Sequence, residues 1–168
     1  YGEQTKMVAV MDADHKGKQQ EILLNNTTSK ALADFFEHKL GNQATIIRGN
    51  NDFITELNNI SRLKSRISNL ELMNEGGDSE INESLDAARK ELFDAEQHIR
   101  EITKNIVAET SSVNNVDVNS LISQWLEQVV LYEKTLAEME AMSIQRRNLD
   151  NDFLYFSPIG AIINRKER

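Results

Sequence analysis

Apolar residues recur every four and then every three positions from Ile81 to Ile106: Ile81, Leu85, Ala88, Leu92, Ala95, Ile99, Ile102, Ile106. That spacing holds one stripe of a helix towards a partner helix. Most positions between are charged or amide side chains, so little else on this helix is suited to burial. A helix of roughly 27 residues, about 40 Å long at 1.5 Å rise each, needs a neighbour along its length.

Weaker versions of the pattern flank it. Ser29 is a candidate N-cap for a helix whose apolar face is Leu32, Phe35, Phe36 and Leu40, and Gly41 stands where a helix-ending glycine belongs. Asn51 or Asp52 caps a second helix carrying Phe53, Leu57, Ile60, Leu63, Ile67 and Leu70. Gly76-Gly77-Asp78 then breaks the chain, and Ser79 caps the heptad helix, with Asn82 where a full capping box has Glu or Gln. After a polar loop over residues 110–115, a last long helix opens at Asn119 or Ser120. It carries Leu121, Trp125, Val129, Tyr132, Leu136 and Met139, weakens through Ser143 and Arg146, and recovers at Leu149, Phe153 and Phe156. Ser157-Pro158-Ile159-Gly160 ends it, and a charged helix follows from about Ala161. Near the start, Met7 to Met11 reads as a short strand and the polar stretch after it as a loop.

The expected fold is therefore mainly α: long antiparallel coiled-coil helices, a hairpin or three-helix bundle, behind a short N-terminal strand and loop. Three parts follow: residues 1–50 as a small N-terminal segment, 51–157 as the antiparallel coiled coil, and 158–168 as a turn and the start of a further helix. Opening on Tyr1 and closing on Asn164-Arg165-Lys166-Glu167-Arg168 reads as a fragment of a larger protein. The expected seam lies between residues 81–106 and 121–156.

Composition sharpens this picture. The 168 residues are 39% hydrophobic and 27% charged with a single proline, which suits long two-faced helices. A net charge of −8 argues against a nucleic-acid surface. With no cysteine, disulfides and thiolate metal sites are excluded. No apolar run reaches the roughly 18–20 residues of a membrane span, so any membrane attachment lies in segments outside this chain.

Candidate chemistry is thin. Asp12-x-Asp14-x-x-Gly17 begins like a calcium loop, but Lys16 and Leu23 occupy positions that need oxygen ligands. His15, His38 and His98 lie in different segments; His98 has Asp94 and Glu101, and His38 has Asp34, at helical spacing, as in surface ion pairs. Glu138 and Glu140 flank Met139 without facing each other. The charged runs around Glu96 to Glu101 and Arg165 to Arg168 read as solvated helix faces. Trp125, Tyr132 and Phe153 sit on the apolar stripe, where aromatics normally fill a core. No catalytic, cofactor-binding or metal-ligating residue is assigned, and the expectation is a chain that is not an enzyme and needs no cofactor.

Four runs in the second half carry a resemblance: Ser123-Gln124-Trp125-Leu126, Tyr132-Glu133-Lys134-Thr135, Asp152-Phe153-Leu154-Tyr155-Phe156-Ser157-Pro158-Ile159-Gly160, and Asn164-Arg165-Lys166-Glu167-Arg168. Over roughly residues 80–168 they resemble the coiled-coil region of bacterial exopolysaccharide-transport proteins of the polysaccharide co-polymerase (chain-length determinant) family. The resemblance implies a non-catalytic periplasmic module of an inner-membrane protein that controls polysaccharide chain length or export. It also implies self-association, with envelope export components as further partners. The competing expectation is an extracytoplasmic helical sensor domain of a chemoreceptor or histidine kinase, which would bury a small ligand between helices. A stalk or adaptor coiled coil of a secretion or phage apparatus is a third.

Overall fold

The computed structural model describes residues 2–74, 76–110 and 116–144, and every regular element among them is a helix. Its elements are α1 (Gly2–Leu40), α2 (Asn42–Arg48), α3 (Asn51–Met73), α4 (Ser79–Thr110) and α5 (Val116–Ala141). The mainly α expectation holds. The N-terminal strand does not: residues 7–11 belong to α1, 39 residues long. A lone strand has no partner for its backbone N–H and C=O groups, whereas a helix satisfies them internally. Four long helices replace the expected three, and residues 145–168, with the proposed turn at 157–160, lie outside the described residues.

Local signals set most boundaries. Gly41 breaks α1 from α2 at φ +56° and ψ −118°, a backbone conformation suited only to glycine. One residue earlier than expected, Asn50 caps α3, its side chain accepting the Phe53 N–H at 3.1 Å. Asp78 rather than Ser79 caps α4, accepting the Glu80 N–H at 2.9 Å. At the other end α5 stops at Ala141 instead of running towards Phe156. Ile144 N–H bonds Met139 C=O at 2.8 Å and Ser143 N–H bonds Glu140 C=O at 3.1 Å, with Ser143 at φ +56°. This is a Schellman turn, completed by apolar packing of Ile144 in the Met139 cluster.

Packing runs in the order α1–α5–α3–α4. Helix α5 lies against α1 and α3, and α3 lies against α4. Ile22 clusters with Met139 and Asn26 bonds Thr135, so α1 and α5 are antiparallel. Phe53 stacks on Trp125 and Lys64 pairs with Glu138, so α3 and α5 are parallel. The pairs Glu71–Arg89 and Glu56–His98 make α3 and α4 antiparallel. It follows that α1 and α4, the outer helices, run in the same direction.

The heptad stripe of α4 is buried at Leu85, Ala88, Ala95, Ile99 and Ile106, as its spacing predicts. Its partner differs from expectation: the stripe seats on α3, and α4 meets α5 only thinly. The loop between α3 and α4 is short enough to fold them into a hairpin, which places their stripes face to face. On α1 the buried stripe is Ile22, Asn26, Ser29, Ala33 and Leu40 with Phe36 half-buried, while Leu32 and Phe35 are exposed. Small and polar residues let α1 approach α5 closely, and this displaced the apolar face expected from Leu32 and Phe35.

Candidate functional site

Among the described residues, two places gather polar and aromatic chemistry. The first is the junction of α1, α2, α3 and α5 around Trp125, which is fully buried. Phe53 stacks on its ring with centroids 6.0 Å apart and planes 14° apart. The Arg48 guanidinium lies 5.5 Å from the ring centroid. Arg48 also grips Glu37 through two contacts, Nε–Oε1 at 2.8 Å and Nη2–Oε2 at 2.9 Å, the forked geometry of a strong pair. Beside them burial lifts the Asp34 carboxyl above the ordinary aspartate range; Lys30 and Arg48 oppose the rise and Glu37 adds to it. This junction locks α2 onto the bundle and contains no nucleophile or paired base.

The second is a groove of about 210 Å³ between α4 and α5, lined by Glu96, Arg100, Leu126, Glu127, Val130, Leu131 and Lys134. It lies where α4, packed chiefly on α3, meets α5 only thinly. Lys134 and Glu96 form an ion pair across it. A charged run that reads as solvated face thus contributes one side chain to an interhelical bridge. The sequence signal was hidden, because Glu96 and Lys134 are far apart in the chain and meet only through packing.

The remaining sequence candidates disperse. His98 Nδ1 sits 2.6 Å from Glu56 Oε2 on α3 rather than using its own helix neighbours. His15 and His38 are exposed. Glu138 pairs with Lys64 at 3.5 Å, and Glu140 is exposed. Among the described residues no three His, Asp or Glu side chains gather in a metal-binding arrangement. Phe153 lies outside the described residues. Sequence reasoning passed over one buried polar contact: Asn26 Nδ2–H donates to Thr135 Oγ1 at 2.9 Å between α1 and α5, with Ser29 Oγ–H donating to Asn26 C=O at 3.0 Å. No protein-family model, curated protein or solved structure matches the chain.

Proposed function

We propose that this chain is a non-catalytic periplasmic module of an inner-membrane protein controlling polysaccharide chain length or export, working as a strut and assembly surface. The observation that carries this reading is the antiparallel docking of α1 on α5, which brings the beginning of α1 and the end of α5 to one end of the bundle. Such a body suits tethering from one side, with α2, the end of α4 and the start of α5 at the far end and the α3–α4 turn at the near end. The runs around Phe156-Ser157-Pro158-Ile159-Gly160 and Asn164-Arg165-Lys166-Glu167-Arg168 supply the link to polysaccharide export. In the sensor reading the groove between α4 and α5 is the natural ligand site. Its volume is below the roughly 300–1,000 Å³ of ligand pockets, and Glu96 and Lys134 neutralise each other inside it.

The test is an in-frame deletion of residues 81–156 in the parent protein, with membrane levels checked by immunoblot. Altered or absent surface polysaccharide at normal protein level is the expected result. Normal polysaccharide together with loss of a chemotactic or transcriptional response would overturn the reading in favour of the sensor.

A further inference from the structure

Helix α2 is lightly held. It is 7 residues long, too short to keep its own hydrogen bonds when isolated. A glycine bounds it at each end, and Gly41 holds a backbone conformation, φ +56° and ψ −118°, that residues with a Cβ resist. Two of its side chains, Ala44 and Ile47, are buried in the core. Polar ties to the long helices come from the fork between Arg48 and Glu37 on α1, and from Thr110 Oγ1–H on α4, which donates to Gln43 Oε1 at 3.3 Å.

Against its last residue lies a donor with no acceptor. Trp125 is fully buried, yet its indole N–H has no hydrogen-bond partner among the described residues. Phe53, stacked on the ring, carries no polar side-chain atom, and the Arg48 guanidinium over the ring is itself a donor. Buried N–H groups are almost always paired, because an unpaired one loses the bonds it made to water. The closed position of α2 therefore carries a penalty at the very side chain that Arg48 covers, and water reaching the indole relieves it.

We propose that α2 is a strap that lifts from the bundle between Gly41 and Gly49, with the Glu37–Arg48 fork as its latch, and uncovers the Trp125 indole while the four long helices stay packed. Lifting withdraws the guanidinium from the ring, frees the two apolar anchors and admits water to the orphan N–H. The contacts that hold the long helices together lie elsewhere: Asn26 with Thr135, Ile22 with Met139, and Ile67 with Leu85 and Ala88. Opening is therefore local rather than global. The far end of the bundle has two states, a closed one that presents the Glu37–Arg48 pair and an open one that presents the indole. The strap rests on the α2 junction alone, independently of any role in polysaccharide export.

Native-state hydrogen exchange, followed by NMR on the full 168-residue chain, is a direct test, because Trp125 is the single tryptophan and gives one indole resonance. A helix this short unravels once lifted. The amides of Ile47, within α2, and of Gly49, bonded to Thr45 C=O at 3.0 Å at its end, therefore report the same opening. The expected result is one shared protection level for these amides and the indole N–H, nearly insensitive to low urea and about tenfold or more below the amides in the middle of α3 and α5. Glu37→Gln removes the latch without touching the ring and should speed all three exchanges several-fold, leaving the α5 amides unchanged. Glu71→Gln, at an exposed ion pair near the other end of the bundle, should alter none of them. Indole exchange that keeps pace with the α5 amides and rises steeply with urea would overturn the proposal, because the indole would then be uncovered only by global unfolding. Faster Ile47 and Gly49 exchange beside an unmoved indole in Glu37→Gln would overturn it as well, since α2 would then lift without uncovering Trp125.

Discussion

The α3–α4 seam and the α1–α5 seam join antiparallel helices by different chemistry. Between α3 and α4 lie Ile60, Leu63 and Ile67 against Leu85, Ala88, Ala95 and Ile99, an apolar stripe meeting an apolar stripe. Between α1 and α5 the centre is polar: Asn26 is 1% exposed, Ser29 is fully buried, and Thr135 completes the layer. An apolar seam is strong and tolerant of sliding, because any apolar side chain serves its neighbour. A buried hydrogen bond contributes little net stability, yet it penalises every register that leaves it unmade. The first seam supplies stability; the second selects one alignment of α1, and with it the height of every outward residue on that helix.

The largest effect should come from breaking the apolar seam. Ile99→Ala removes a fully buried side chain and is expected to lower unfolding stability by about 2–5 kcal/mol, read from urea unfolding at constant m-value. A loss under about 1 kcal/mol would mean that the α3–α4 seam is not the main source of stability. On the polar seam, Asn26→Ala should cost about 1–3 kcal/mol, since it removes one partner of a buried pair. Replacing both partners, Asn26→Leu with Thr135→Val, should recover most of that stability while loosening the alignment. Amide exchange along α1 measures the loosening, and unchanged protection in the double variant would remove the register role.

A smaller gain is expected at the end of the polar seam. Ser143 holds a left-handed conformation that glycine adopts without strain, so Ser143→Gly should stabilise by about 1 kcal/mol. A fall in melting temperature instead would show that the turn closing α5 depends on the serine side chain. The smallest effect concerns Asp34. Burial raises its carboxyl pKa, so the folded protein holds that proton more tightly than the unfolded chain does. Its contribution is favourable below the ordinary aspartate pKa and is lost as pH rises through the raised folded value. Asp34→Asn should therefore melt slightly higher than the native chain at pH 7, and the difference should vanish near pH 3. A variant less stable than the native chain at pH 7 would show that the attraction of Lys30 and Arg48 outweighs burial.

Much of this architecture is legible in the residues. The 4-3 repeat from Ile81 to Ile106 sits on the buried face of α4, the stripe from Phe53 to Leu70 lies along α3, and Gly41 ends α1. These are local properties: a helix face is set by a period of 3.6, and a positive φ by the absence of a Cβ. Trp125 in the core follows from its place on such a stripe. The N-terminal helix was not legible, because Met7 to Met11 is a short apolar run that local pattern alone cannot divide between strand and helix.

Partner choice belonged to the tertiary structure. Periodicity states that α4 needs a neighbour, but any apolar stripe satisfies it, and only the short connection from α3 selected that helix over α5. The polar contacts lay further still from sequence reading. Asn26 and Thr135, Glu96 and Lys134, and Glu56 and His98 are each ordinary solvated residues along the chain. Each becomes a contact only when two helices are set at a particular height, and a one-turn slip of about 5.4 Å would separate them all. Apolar pattern is a property of one helix, while register is a property of two.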